Sequence, residues 1–319
     1  MTDIFFSTRL NSFALGKGLK HPEKAVDTLA LIEIAGSVKG LNALEVNYPE
    51  HFISHNAGEV SSASKKANLA VKGVQLRWPA PKFANGGFSN PDAALRREAI
   101  TMVADAIKVA KELNTDHVLL WPAHDGYEYP LQMNYIDSWK WFKEALIELA
   151  DVDSSIRLSI EYKPAEPRGR TLLNTTGSVM KMIADVNRAN VGVTLDFGHL
   201  LMARENPAQS AAMCLVDKKL FGLQLNDSHG MADDGLIVGS IHAPETLELT
   251  YYLAMYGYKG TYYFDTDPVR ENPVRECEIN IERMRYFIEK GRDLAKSHPD
   301  LAHGDALLSS EVIWNILKK

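Results

Sequence analysis

Cysteine is almost missing from this chain of 319 residues: only Cys214 and Cys277 occur, and neither stands in a CxxC or beside a Cys/His cluster. A disulfide framework and a thiolate zinc site are thereby disfavoured, and two reduced, buried thiols are expected. Long apolar runs are absent as well. None approaches the roughly 20 residues that carry a helix across a bilayer, and the opening MTDIFFSTRL lacks the basic-then-apolar pattern of a secretory signal. No membrane partner and a cytoplasmic location are expected. Positive charge is in deficit: 35 Lys and Arg stand against 41 Asp and Glu, a formal net charge of −6, so no nucleic-acid partner is expected either. Neither GxGxxG nor a Walker A motif is present, which argues against an open doubly wound sheet built around a nucleotide.

What the sequence does contain is an alternation of short β-branched runs and longer amphipathic stretches. Strands are predicted at Ile4–Ser7, Ala43–Asn47, Ala70–Arg77, His117–Trp121, Arg157–Tyr162, Val191–Asp196, Phe221–Leu225 and Gly260–Phe264. Helices are predicted between them over Pro91–Leu113, Met133–Ala150, Thr175–Val186, Ala208–Val216, Ala243–Tyr256 and Pro273–Glu289. The first of these repeats Leu95, Ile100, Val103 and Ile107 on one face and starts with Ser89-Asn90-Pro91. Eight strands alternating with helices specify an α/β fold, a closed parallel (β/α)8 TIM barrel. The barrel is expected over residues 1–290, with residues 291–319 as a short C-terminal helical extension.

Catalytic groups of such a barrel lie at the C-terminal ends of its strands. Three predicted strands finish in a carboxylate after apolar residues: Glu161 in LSIEYKP, Asp196 in VGVTLDFGH and Asp265 in TYYFDTD. Three inward carboxylates at one mouth repel each other and lose hydration, so a divalent cation is the simplest compensation. The plain alternative is that each acid caps a helix or pairs with a nearby Lys or Arg. His199 follows Asp196 by three residues, a spacing that lets both face one cavity, and imidazole is a common metal ligand. Gln224 ends the seventh strand and offers an uncharged ligand oxygen or a structural hydrogen bond. Asp233 and Asp234 follow in a loop leaving that strand. Lys163, two residues beyond Glu161, shares its face if the strand continues and could hold a substrate oxygen as it becomes negative, or simply pair with an acid. Trp121 and Phe88 are aromatic side chains suited either to an apolar wall over the reacting carbons or to core packing.

These segments resemble xylose isomerase, within the wider group of xylose isomerase-like barrels that includes L-rhamnose isomerases. The resemblance runs from about Gly86 to Arg270 through GGFSN at Gly86–Asn90, VLLW at Val118–Trp121, IEYKPAEPRG at Ile160–Gly169, DFGH at Asp196–His199, the stretch Lys219–Asn226, and Phe264-Asp265 with Pro268 and Arg270. It implies that Glu161, Asp196 and Asp265 hold a first divalent metal, with Asp196 bridging to a second held by His199 and Asp233. Lys163 would contact the substrate carbonyl oxygen, Phe88 and Trp121 would line the sugar, and Asn226 would lie among the substrate contacts. The sequence departs from the family at Gln224, where xylose isomerase has an acid, and at Gly235, where it has a second loop acid. In the second-strand region LEVNYPEHF no clear ring-opening histidine stands out beyond Tyr48 or His51.

The implied function is a divalent-metal-dependent aldose–ketose isomerase, with Mg²⁺, Mn²⁺ or Co²⁺ as cofactor. A small free sugar such as a pentose, a branched pentose such as apiose or a deoxyhexose would be the substrate, and a homo-oligomer is expected from the family. Lys163, Asp265 and His199 are the catalytic candidates. Hydride transfer between C1 and C2 is one route; a ketose epimerase acting through an enediol is a second reading, and a non-catalytic sugar-binding barrel a third. Phosphodiester hydrolysis at a His-rich metal cluster does not suit so acidic a chain.

Overall fold

The computed structural model describes residues 4–15, 26–166 and 168–318. Eight strands form one parallel sheet: β1 (Phe6–Thr8), β2 (Ala43–Tyr48), β3 (Ala70–Leu76), β4 (His117–Leu120), β5 (Arg157–Glu161), β6 (Val191–Asp196), β7 (Leu220–Leu225) and β8 (Tyr262–Phe264). They are ordered β1-β8-β7-β6-β5-β4-β3-β2. The sheet closes between β1 and β2 through an Arg9–Glu45 bridge. Asn42 supplies the remaining contacts of that seam, its Oδ1 accepting from Phe6 N at 2.8 Å and its Nδ2 donating to Ile4 O at 2.9 Å. The expected TIM barrel is therefore what the chain forms.

Alternation along each strand builds both the shell and the lumen. On β5, Leu158 and Ile160 belong to the hydrophobic core, while Ser159 turns into the barrel. There Ser159 Oγ bonds His117 Nε2 and Thr194 Oγ1, both at 2.7 Å. Burial drives the His117 imidazole down to about 3, with Arg157 adding to the effect. This row is polar where barrels of this class usually stack branched apolar side chains. Gly222 makes room for it, since a Cβ there would lie 2.3 Å from Thr194 Oγ1.

The helices surround the barrel: α1 (Thr28–Gly36), α2 (Ala57–Lys66), α3 (Ala93–Glu112), α4 (Tyr135–Val152), α5 (Thr176–Val186), α6 (Phe197–Met202), α7 (Pro207–Val216), α8 (Ala243–Met255), α9 (Pro273–Ser297) and α10 (Ala306–Leu317). Two expectations shift. Helix α3 begins after Asp92, which accepts from Ala94 N at 2.8 Å, so Ser89 and Asn90 precede the cap. Helix α9 runs eight residues beyond the expected end at Glu289, because Gly291 lets the α8 backbone approach at Thr250. A three-stranded sheet of Gly126–Tyr127, Ala165–Glu166 and Gly169–Thr171 forms from the loops after β4 and β5. It closes over the loop after β5, where Thr171 Oγ1 donates to the carbonyl of Lys163.

Candidate metal centre

Strand β5 ends at Glu161 and strand β6 at Asp196, and the pair are one strand apart in the barrel, with Glu161 in register with Thr194. Asp196 is also the N-cap of α6, its Oδ1 accepting from His199 N at 2.9 Å. The capping role and the site role are thus one arrangement: the cap fixes the first turn that carries His199. Glu161, Asp196 and His199 are each at most 2% exposed, and one ligand atom from each lies within 4.8 Å of the others.

The electrostatics of this group are those of a cation site. Burial raises Glu161 to about 8, with Asp265 and Asp196 adding to it against the opposing pull of His199. Burial likewise lifts Asp196 to about 6. Burial alone would lower His199, but Asp196, Asp233 and Glu161 overcome it and hold the imidazole at about 9. Two buried carboxylates are short of positive charge, which the histidine ring and, for Glu161, Arg77 supply only in part. Glu161 Oε2 is buried with no hydrogen-bond partner, a loss that a bound cation would make good. Carboxylate oxygens with one imidazole form a donor set suited to Mn²⁺ or Mg²⁺. The ring is oriented by Tyr162, whose carbonyl oxygen accepts from Nδ1 at 3.0 Å. Nε2 is left facing Asp233 Oδ2 at 3.3 Å. Nδ1 is also the ring nitrogen nearest the acids, 3.5 Å from Glu161 Oε1 and 3.9 Å from Asp196 Oδ1.

Above the group lies a cavity of about 260 Å³, lined by Arg9, Arg77, Trp121, Glu161, Lys163, Glu166, His199, Asp233, Asp265 and Asp267 among others. Lys163 reaches it although the strand stops at Glu161. Its Nζ donates to Asp233 at 3.0 Å and to Glu166. Burial pulls the Lys163 ammonium down, but these two acids carry it above the ordinary lysine value. Asp233 in turn is held well below the usual carboxylate range: His199 and Lys163 outweigh its desolvation. Trp121 lies 5.7 Å from Lys163 Nζ and 5.0 Å from the Arg77 guanidinium, measured to the ring centroid.

Other expected residues are placed differently. Asp265 lines the cavity but stays outside the 4.8 Å group, its Oδ1 3.9 Å from Arg9 Nε. Gln224 stands in register with Asp196 and is 1% exposed, and neither of its amide atoms has a partner among the described residues. It lines a separate cavity of about 440 Å³, shared with Lys72, Asp116 and Lys259, and not the mouth. Phe88 is fully buried with its ring edge-on between Trp78 and Phe142, at 4.9 and 5.2 Å. As a correction, it is core and no wall of the mouth, because Gly87 seats that segment directly on the Trp78 indole. Asn226 is also buried. Its Nδ2 donates to both Asp196 oxygens at 3.2 and 3.0 Å and to Asp265 O at 3.1 Å, while Oδ1 accepts from Gly198 N at 2.8 Å. It holds Asp196 in place. Asp234 accepts from His229 N at 2.8 Å and serves its loop. His51 bonds Asn47 N and Asn11 Oδ1 at 2.9 and 2.8 Å and is pushed by burial down to about 4.

Sequence reasoning missed Arg9 and Arg77, and it missed Asp267. The signal was available: Arg9 and Arg77 directly follow β1 and β3 just as the acids end β5 and β6, and a strand-end rule applied to carboxylates holds equally for guanidinium groups. The Asn226 contacts carry a prediction. Asn226→Leu keeps the volume but frees Asp196, and is expected to weaken Mn²⁺ binding by about 10- to 100-fold with an unchanged fold, read by calorimetric titration beside a far-UV spectrum. An unaltered affinity would refute the clamp.

Comparison with known proteins follows the same lines. A family model described as xylose isomerase-like TIM barrel matches residues 39–271. Xylose isomerase of Thermus thermophilus is 31% identical over 196 residues, 60% of this chain and 51% of that protein. The Thermus caldophilus xylose isomerase is 29% identical, also over 196 residues, 60% of this chain and 51% of that protein. The chain thus aligns with about half the length of these curated relatives. Among solved structures, a D-tagatose 3-epimerase-like protein superposes with a TM-score of 0.68 at 22% identity, over 90% of this chain and 99% of the other. An L-ribulose 3-epimerase does so with a TM-score of 0.69 at 17% identity, over 95% and 98%.

Proposed function

Because the chain belongs to the xylose isomerase-like TIM barrel family, we propose that it is a divalent-metal-dependent isomerase of a small sugar, interconverting an aldose and a ketose by hydrogen transfer between C1 and C2. The observation that carries this reading is the buried meeting of Glu161, Asp196 and His199, with Glu161 Oε2 left without a partner. Glu161, Asp196 and His199 would hold the metal, with Asp233 and Asp265 on the cavity side. When bound, Mn²⁺ or Mg²⁺ supplies Lewis-acid polarisation of adjacent sugar oxygens.

The chain's own residues supply the rest. Lys163 is kept charged by Asp233 and Glu166 and donates to a substrate oxygen as it gains negative charge. Trp121 offers an apolar face that keeps water from the reacting carbons. Asn226 holds Asp196 in place, and the Tyr162 carbonyl holds the His199 ring. Asp265 is a methylene shorter than a glutamate at the same strand end and lies 3.9 Å from Arg9 Nε, so it reaches less far toward a substrate carbon, which favours transfer of hydrogen within the substrate over an enediol route.

Aldose and ketose panels of four to six carbons, run in D₂O with Mn²⁺ and followed by NMR, test this. Interconversion of aldose and ketose without deuterium at carbon, abolished by a chelator, is the expected result. Deuterium entering at C3 with inversion would replace isomerisation by epimerisation. Turnover indifferent to chelator would defeat the metal reading altogether.

A further inference from the structure

Among the described residues, the cations that line the mouth cavity differ in how closely a carboxylate approaches them. Lys163 is matched by Asp233 and Glu166, Arg9 by Asp267 and Asp265, and His199 by the acids around it. Arg77 lines the same cavity, yet among the described residues it forms no ion pair, and its Nε is buried without a hydrogen-bond partner. The residue is held at the rim. Its backbone N donates to Tyr48 O at 3.3 Å, and the neighbouring Trp121 N donates to Leu76 O at 3.3 Å. The Trp121 ring stacks on the guanidinium at 5.0 Å from the centroid, which limits the directions the fork can take.

A guanidinium cannot escape burial by losing its proton. A guanidinium whose Nε has no partner beside a cavity is a site for an anionic group. Glu161 and Glu50 feel the Arg77 charge from a distance, but no carboxylate among the described residues bonds its Nε, so a close partner would come from outside the chain. We propose that Arg77 receives an oxyanionic group of the substrate, a carboxylate or a phosphate, and that the enzyme acts on an acidic sugar. The inference rests on the sugar-isomerase reading above and names its substrate class. Planar, paired N–H donors suit such a group better than they suit a lone hydroxyl, and Arg77 faces the same small cavity as Glu161 and Asp265. A substrate anchored at Arg77 and reacting near Glu161 would lie across that cavity.

The test uses the Mn²⁺-loaded enzyme on three matched sets: neutral aldoses and ketoses, the corresponding uronates and keto-acid sugars, and their terminal phosphates. The expected result is a kcat/KM at least about tenfold higher for one acidic set than for the neutral set, the preferred set identifying carboxylate or phosphate as the group. Arg77→Leu should raise KM for that set by about 30-fold or more, at least about tenfold more than it raises KM for the neutral set, and Arg77→Lys should restore part of the loss. Preference for neutral sugars, or an equal effect of Arg77→Leu on all three sets, overturns the inference and leaves the isomerase reading standing. Absence of metal-dependent turnover on every set overturns both.

Discussion

Glu161→Gln is expected to abolish detectable Mn²⁺ binding and to lower turnover by about 10³-fold or more, while the protein melts at the same temperature or higher. The substitution keeps shape and buries no new atom, but it replaces a carboxylate oxygen aimed at His199 Nδ1 from 3.5 Å with an amide that brings its own hydrogens. A cation between Asp196, His199 and an amide has lost half of its carboxylate charge. Stability moves the other way because the wild-type carboxyl sits in the wrong place for a folded apoprotein. Its folded value of about 8 lies above the ordinary 4.5. An acid raised in this way costs nothing below about pH 4.5, and the metal-stripped protein loses stability as the pH climbs from there through about 8. The glutamine variant lacks that slope. Thermal melts of the stripped proteins at pH 5 and pH 8 should show the wild type falling further than the variant. A variant that titrates Mn²⁺ like its parent would remove Glu161 from the centre.

How far this site could be read from the sequence depends on what each residue does. Glu161 and Asp196 were legible because a carboxylate that ends an apolar strand has few other reasons to be there. Trp121 and Lys163 followed from their places beside strand ends. Phe88 did not, since an aromatic beside Gly86-Gly87 reads alike whether it faces a cavity or the Trp78 indole, and only packing decides. Asn226 was noticed for the wrong partner: one-dimensional spacing shows that it lies near the site, not that its amide is spent on Asp196. In the fold, α1 escaped notice because TLALIEIAG is apolar nearly all round, and α2 because AGEVSSASKK has too few apolar residues for a helical period. Their caps were nevertheless written in the sequence. Asp27 accepts from Leu29 N and Ala30 N at 3.0 and 3.2 Å, and Asn56 with Glu59 forms a capping box. Helix α6 is only six residues long, too short for any pattern.

Lys163→Met should reduce kcat by about 10²- to 10³-fold without weakening Mn²⁺ binding. Methionine fills the same channel and removes one charge from a side chain that is 5% exposed. Two consequences follow from its partners. Asp233 loses the ammonium 3.0 Å away and keeps His199 at 3.3 Å, so the carboxylate is freer to turn toward a cation; the affinity of the centre should hold or rise. The substrate, by contrast, loses the one ammonium that lines the cavity among the described residues, and an oxygen that becomes negative only during reaction suffers most. The split is therefore expected in kcat, with KM changed by less than about threefold. Lys163→Arg keeps the charge but not the compact geometry, and should recover part of the rate. A purely structural lysine would behave otherwise, its loss lowering the melting temperature and Mn²⁺ affinity together with kcat. If kcat stays within about threefold of the parent while the metal still binds, Lys163 serves only to anchor Asp233 and Glu166, and the stabilising charge in the mouth must come from the arginines at the ends of β1 and β3.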